Sequence, residues 1–296
     1  MLFKNVLFII LNLLFFSVFS QSYKNCEKFK TIIYTLSDDS MQGREAGTEG
    51  AEKAKNYLVN YYKTIGLKPL KDTYIQKFVF PKDSTHTETA MNISGMIDNK
   101  ANSTIVIGAH YDHLGMGGLK SRSLTTKKIH AGADDNASGV AMMLLLAEQL
   151  KKSGNKKFNY LFVAFSAHEN GLYGSEAFVN EIIIDLSKIK LMLNFDMVGR
   201  LDVTSPILKA TKSEKDFYLD SLLNNVNHKN FQIKIQDNSL SKSDATAFTK
   251  NNISSITFST GIHDDYHKVS DTAEKINYDG VNTIKEYLFE FLLKVN

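Results

Sequence analysis

The chain has 296 residues, a formal net charge of +3 and a single cysteine, and 43% of its residues are apolar. This apolar fraction is enough for one sizeable core, and the length alone allows one or two domains. No run of Lys and Arg is long enough to indicate a nucleic-acid-binding surface, so no nucleic-acid partner is predicted. Because Cys26 stands alone, the sequence excludes an intrachain disulfide and a metal cluster held by thiolates.

The first twenty residues form a separate unit. An almost wholly apolar stretch, "VLFIILNLLFFSVFS", follows Lys4, and Val18 and Ser20 stand where a signal peptidase reads small residues. We expect a signal peptide over residues 1–20, and therefore a secreted or periplasmic protein without stable membrane insertion after cleavage. The alternative is an uncleaved membrane anchor, but the apolar run is short for a span that needs about 20 residues.

Helical and strand patterns alternate after residue 27. Apolar residues recur at three- and four-residue spacing between Ala51 and Ile65, which predicts a helix that ends at Gly66. The segments that follow are a buried strand over 103–110, an apolar helix over 138–154, buried strands over 158–166, 189–197 and 254–260, and an amphipathic helix over about 279–294.

This alternation predicts the fold class. The chain has three prolines and no Pro-rich linker. We therefore predict one α/β domain over residues 21–296, with helices on both faces of a sheet.

Imidazoles and carboxylates stand where the predicted buried strands end. They also precede the apolar helix. In open α/β sheets, ligands bind outside the carboxyl ends of the strands. The residues are His110, Asp112 and His113 after the first strand, Asp134 and Asp135 before the helix, His168 and Glu169, Asp196, and His263, Asp264, Asp265 and His267.

One such residue alone would indicate little, because a histidine at a strand end is usually structural and an Asp before a helix is usually an N-cap. Several together predict a metal site. Nitrogen and carboxylate ligands without thiolate suit zinc, manganese or cobalt, and zinc is the default in a secreted hydrolase.

The motifs around these residues resemble a known family. "GAHYDHLGMGG", "HAGADDNASGVA", "FSAHENGLYGS", "LNFDMVGRL" and "DDYHKVSDT" are similar, in this order, to the motifs of the M28 family of zinc peptidases. The resemblance extends over residues 38 to 290. It implies an αβα sandwich around a mixed, mostly parallel sheet, a peptide substrate and two zinc ions per chain.

The resemblance also implies a role for each motif residue. His110 and Asp196 would bind one zinc, Glu169 and His267 the other, and Asp135 would bridge the two. Asp112 would orient the imidazole of His110.

The opening of "HENG" departs from the family pattern. The family has an acidic general base at the position that His168 occupies here. His168 therefore stands at the catalytic position, and the usual carboxylate is missing there. It could serve as the base itself, become a further metal ligand, or indicate a metal-containing pseudoenzyme.

A second departure is Ala245, which stands where the family often has a histidine after the aspartate, here Asp244. His86, His113, His130, His228 and His263 receive no predicted role.

The leading functional prediction is a secreted di-zinc exopeptidase that acts on N-terminal residues. A peptide-binding pseudoenzyme and a glutaminyl-cyclase-like transferase are the alternatives.

Overall fold

The computed structural model describes residues 25–124, 127–181, 184–212, 217–226, 230–237 and 242–296. The predicted signal peptide over 1–20 and His228 lie outside these residues. Within the described ranges, none of the helices combines the length and the apolar character that a membrane crossing requires.

Among the described residues, nine strands form one sheet. They are β1 (Lys68–Pro69), β2 (Ile75–Pro81), β3 (Thr87–Ile97), β4 (Thr104–His110), β5 (Asn159–Phe165), β6 (Ile189–Phe195), β7 (Ile207–Lys212), β8 (Gln232–Asp237) and β9 (Ser255–Ser259). Their order is β1-β3-β5-β4-β6-β9-β7-β8, and β2 also pairs with β3.

The centre of the sheet is parallel and its flanks are mixed. Strands β5, β4, β6 and β9 pair in parallel, so their carboxyl ends share one edge. On one side β3 is antiparallel to β5, and on the other side β7 is antiparallel to β9. The predicted mixed, mostly parallel sheet is therefore confirmed.

Helices cover both faces of this sheet. They are α1 (25–36), α2 (Glu49–Thr64), α3 (Gly139–Ser153), α4 (His168–Gly171), α5 (Tyr173–Asn180), α6 (Phe217–Asn225), α7 (Ala245–Thr249) and α8 (Tyr278–Lys294).

The two faces follow from the period-two geometry of the strands. In β4, Ile105 and Ile107 belong to the core that contains α1, α2, α3 and α8, while Val106 between them belongs to the core with α5 and α7. All seven residues of β4 are buried, because both faces of the strand are covered.

The helix predicted between Ala51 and Ile65 is α2, which begins after Thr48 and is followed by Gly66 at φ +68°. The predicted helices over 138–154 and 279–294 correspond to α3 and α8, and the four predicted buried strands to β4, β5, β6 and β9. Strong local periodicity and apolar runs therefore predict the central strands of the sheet and the longest helices of the chain.

Candidate metal centre

The predicted ligands meet at the carboxyl edge of the parallel strands. His110 ends β4, Asp196 directly follows β6, and Glu169 lies in α4, just beyond the end of β5. Asp135 lies in the π-type turn Ala133–Ser138 before α3, and His267 lies in the loop between β9 and α8. The structure thus brings together residues that are up to 157 positions apart in the sequence, since they run from 110 to 267.

Three of these side chains form a first cluster, made of His110, Asp135 and Asp196. Nε2 of His110 lies 3.4 Å from Oδ1 of Asp135 and 3.6 Å from Oδ1 of Asp196. This nitrogen is buried and has no hydrogen-bond partner among the described residues. Two ligands at about 2.0–2.1 Å from a tetrahedral zinc lie about 3.4 Å apart, so these spacings fit one ion between the three side chains.

A second cluster consists of Asp135, Glu169 and His267. Nε2 of His267 lies 3.3 Å from both Oδ2 of Asp135 and Oε1 of Glu169. Asp135 thus faces the first cluster with one carboxylate oxygen and the second cluster with the other. The residues fit the two-zinc arrangement that the family resemblance implies.

Two of the histidines are oriented by backbone carbonyl groups. Nδ1 of His110 lies 3.1 Å from the carbonyl oxygen of Asp112, and Nδ1 of His267 lies 3.1 Å from that of Lys120. Such contacts select the tautomer in which Nδ1 donates and Nε2 is free to bind a metal.

Asp112 contacts the imidazole of His110 through its backbone carbonyl oxygen and not through its carboxylate. Its carboxylate Oδ1 lies 3.8 Å from Nδ1 of His110, too far for a hydrogen bond. The two carboxylate oxygens instead accept the backbone N–H groups of His168 and Glu169, each at 3.2 Å. Asp112 is therefore placed to hold the start of α4, because these N–H groups have no partner inside the helix.

The bridging Asp135 is positioned from behind by Asp271. The buried Asp271 carboxylate accepts the N–H groups of Asp134 and Asp135, each at 3.0 Å. The side chain of Asp134 does not face the clusters: it accepts the N–H of Gly199 and lies 3.1 Å from Nε2 of His263. The peptide bond between Asp135 and Asn136 is cis.

Arg44 connects the loops that carry the predicted ligands. Its guanidinium is fully buried and donates to four backbone carbonyl groups of the described residues. The acceptors are Tyr111 at 2.8 Å, Ala131 at 2.8 Å, Gly132 at 2.9 Å and Leu36. One side chain therefore ties the segment after β4 to the segment before Asp135.

His168 lies beside the first cluster and is held there by Asp244. Nδ1 of His168 lies 2.8 Å from Oδ2 of the fully buried Asp244. The imidazole stacks on that of His110, with ring centroids 3.8 Å apart and planes 11° apart. One ring nitrogen of His168 lies within 4.8 Å of ligand atoms of His110 and Asp196. Asp244 thus pairs with the imidazole of His168 in α4. The residue after Asp244, where the family often has a histidine, is Ala245.

His113 is the residue that the sequence analysis missed. It is 1% exposed, and its Nδ1 lies 3.3 Å from Oε1 of Glu169 and 3.8 Å from Oδ2 of Asp135. The only available signal was its place in "HYDH", three residues after His110. Two of the other histidines without a predicted role behave differently: His130 makes hydrogen bonds with both ring nitrogens, and His86 is exposed.

The electrostatics of the site favour bound positive charge. Burial and His168 oppose protonation of His110, but Asp196 and Asp135 outweigh them and raise its pKa to about 9. Burial likewise opposes protonation of His267, whereas Asp135 and Glu169 raise its pKa to about 10. A divalent cation can take the place of these protons, because imidazole binds metals in its neutral form.

A cavity of 700 Å³ opens beside the second cluster, and Glu169 and His267 contribute to its wall. His168, Tyr266 and Lys120 also line it. Its volume lies within the range of small-molecule and peptide sites. The clusters are therefore accessible to a ligand from one side.

An open α/β sheet with imidazoles and carboxylates gathered around two positions at its carboxyl edge is typical of co-catalytic metallohydrolases. The sequence profile of peptidase family M28 matches residues 92–292, and the chain belongs to this family.

Two curated relatives are both called leucine aminopeptidase 1. The protein of Colletotrichum graminicola is 31% identical over 185 residues, which cover 61% of this chain and 41% of that protein. The protein of Blastomyces gilchristii is 30% identical over 155 residues, covering 51% and 37%. The matched part of the chain thus spans about two fifths of the length of these relatives.

Solved structures share the fold. BSAP, a zinc aminopeptidase from Bacillus subtilis, has a TM-score of 0.73 at 16% identity, with 91% of this chain and 95% of that chain covered. A glutaminyl cyclase from Bacteroides thetaiotaomicron has a TM-score of 0.76 at 16% identity, with 92% and 98% covered. Because both reactions occur on this fold, the fold does not choose between them.

Proposed function

We propose that this chain is a di-zinc exopeptidase that removes N-terminal residues from peptides. The observation that carries the proposal is Asp135, whose two carboxylate oxygens face two separate sets of ligands. His110, Asp135 and Asp196 would hold one zinc ion, and Asp135, Glu169 and His267 would hold the other. The leucine aminopeptidases among its relatives support the substrate class.

When bound, two zinc ions supply an acidified water and a Lewis acid for the scissile carbonyl group. The chain supplies the proton transfer. Because Nδ1 of His168 pairs with Asp244, Nε2 is left as the acceptor. Nε2 of His168 accepts a proton from the attacking water and donates it to the amine nitrogen of the leaving peptide, while Asp244 holds the ring in the correct tautomer.

The test combines metal analysis with a panel of aminoacyl substrates on the purified chain. We expect about two zinc ions per chain and release of N-terminal amino acids, which a chelator abolishes. Blocking the substrate's α-amine by acetylation should stop the release. A chain that retains zinc but releases no amino acid from any free-amine peptide would contradict the proposal.

The role of His168 is tested with two variants. His168→Gln should lower the rate by about 10²–10⁴ with unchanged zinc content, because it removes a general base but keeps a polar side chain. His168→Glu places the family's usual carboxylate at this position. A gain of about 10²-fold in that variant would mean that the histidine is an impaired base.

A second candidate function is a metal-containing peptide-binding protein without catalysis. It is favoured by the position of His168, which has a ring nitrogen within 4.8 Å of ligand atoms of His110 and Asp196. As a fourth protein ligand, His168 would leave a tetrahedral ion no open position for water. Reduced zinc content in His168→Gln, together with peptide binding but no product, would select this candidate.

A glutaminyl-cyclase-like reaction ranks third, because it is supported by fold likeness alone. Peptides with N-terminal glutamine distinguish the two reactions. A cyclase releases ammonia and keeps every residue in the peptide, whereas an exopeptidase releases free glutamine.

We also keep the proposal that residues 1–20 direct export and are removed. Mass spectrometry of exported protein should then give Gln21 as the first residue. An intact Met1 on membrane-retained protein would contradict it.

A further inference from the structure

We propose that His113 is a fourth protein ligand of the second zinc ion and binds it through Nδ1. The inference rests on the proposed function, because it requires zinc at the second cluster. It extends that cluster to Asp135, Glu169, His267 and His113, and it adds a ligand that the family resemblance does not imply.

The first argument is the spacing of the four atoms. Nδ1 of His113 lies 3.3 Å from Glu169 and 3.8 Å from Asp135, and Nε2 of His267 lies 3.3 Å from each of the same two carboxylates. Ligands at about 2.0–2.1 Å from a tetrahedral zinc lie about 3.4 Å apart. Nδ1 of His113 therefore faces the same two carboxylates as Nε2 of His267.

The second observation concerns the hydrogen bonding of Nδ1 of His113. It is buried and has no hydrogen-bond partner among the described residues, even though the Glu169 carboxylate is near. The two atoms are thus close without being aligned for a hydrogen bond. A buried polar atom without a hydrogen-bond partner is unfavourable, and a bound ion would remove that cost for Nδ1.

The neighbouring His130 shows what a structural histidine looks like in the same region. It is also buried, and its ring centroid lies 6.5 Å from that of His113. Its Nδ1 lies 2.9 Å from the carbonyl oxygen of Lys128, and its Nε2 lies 2.7 Å from Oγ of Ser121. His113 has no such contacts, so packing alone does not account for its position.

The consequence is an unequal pair of metal sites. Four protein ligands complete a tetrahedral ion and leave no open position, as in structural zinc sites, whereas three leave one open, as in catalytic sites. The second ion would be held tightly, and the open position would belong to the first ion, beside His168.

The experiment compares His113→Phe with His130→Phe, which both replace a buried imidazole by a ring without nitrogen. Zinc affinity is measured by competition with a chelator on the purified chain. His113→Phe should weaken one of the two sites by more than about 100-fold, beyond the 10–100-fold typical of losing a partner outside the ligand shell. His130→Phe should keep both affinities. Equal affinities in wild type and His113→Phe, or equal losses in both variants, would overturn the inference.

A measurement on the wild-type chain covers the case in which the variants fail to fold. Long-range proton–nitrogen NMR of the imidazoles, recorded during zinc titration, identifies the nitrogen that binds. His113 should respond at Nδ1, whereas His110 and His267 should respond at Nε2, since carbonyl groups occupy their Nδ1 atoms. An unchanged Nδ1 signal of His113 at saturating zinc would also overturn the inference. Neither readout uses peptide hydrolysis, so an inactive chain with a zinc-bound His113 would refute the proposed function alone.

Discussion

The two clusters of predicted ligands share Asp135 but differ in the additional imidazole beside each. His168, beside the first cluster, is tied through Nδ1 to Asp244 and stacks on His110. His113, beside the second cluster, has no hydrogen bond from either ring nitrogen among the described residues. An anchored imidazole is suited to moving a proton, because its tautomer is set. An unanchored, buried imidazole is suited to binding an ion.

The clusters also differ in how they are held. The first is built on the ends of β4 and β6 in the centre of the sheet, where neighbouring strands hold the backbone. The second depends on His267 and on α4, which are outside the sheet. A further protein ligand would compensate for this less rigid support.

The largest effect should come from Asp135→Asn, which removes the carboxylate that both clusters share. We expect zinc content to fall from about two ions to fewer than one per chain, and hydrolysis to fall below detection, because both ions lose a ligand. Elemental analysis and an aminoacyl substrate assay measure this. Asp264→Asn, a change at an exposed aspartate, should keep both properties. Loss of only one ion in Asp135→Asn would show that the residue does not bridge.

Removal of zinc should proceed in two steps. The first cluster has three predicted protein ligands and the second has four, so the first ion should leave at the lower chelator concentration. An ion at 1,000 times its dissociation constant stabilises the folded chain by about 4 kcal/mol. For a domain of this size, the loss of that stabilisation on removal of the ion corresponds to a fall of about 10 °C in Tm. Calorimetry with parallel metal analysis would show the steps. Simultaneous loss of both ions would remove the asymmetry.

An intermediate effect is expected for Asp244→Asn, which acts on the first cluster only through His168. An amide cannot hold the imidazole in the required tautomer as well as a carboxylate does, so the rate should fall by about 10²–10⁴. Zinc content should not change if His168 is a base. Ser243→Ala is the control, because its hydroxyl pairs with Thr257 and not with His168. A zinc affinity reduced by 10–100-fold would instead indicate that His168 is a ligand.

Much of the asymmetry could not be predicted from sequence. The buried strands and the residues that follow them could be, because apolar runs are local signals and parallel strands share one edge. The direction of a side chain in a loop is not local. His113 faces the second cluster, and the Asp112 carboxylate faces α4, because of how the loop after β4 runs past Arg44 and Glu169.

The edge strands were also missed. Strand β8 has no fully buried residue, so its pattern lacks the apolar run that identified β4. Sequence reasoning thus finds the strongly buried centre of the sheet and loses accuracy where burial is partial.

The smallest effect should come from Asp265→Asn, which lies two residues before His267. The Asp265 carboxylate accepts hydrogen bonds from Lys275 and Ser270, both at 2.6 Å, and forms an ion pair with Arg200. These contacts anchor the loop that carries His267. We expect less than about a tenfold loss of zinc affinity at the second cluster and none at the first, because His267 is displaced but not removed.

The pH dependence of stability gives a separate test of Asp265. Burial opposes its ionised form, but Lys275, Ser270 and Arg200 outweigh burial and lower its pKa to about 2. A lowered carboxyl pKa stabilises the fold above the unfolded-state value of about 4, and this contribution is lost as the pH falls through about 2. In zinc-free protein, the difference in Tm between wild type and Asp265→Asn should therefore stay constant from pH 8 to about 5 and shrink below about pH 4. A difference that persists unchanged to about pH 2 would mean that the charge of Asp265 does not anchor the loop, and the weaker support of the second cluster would need another cause.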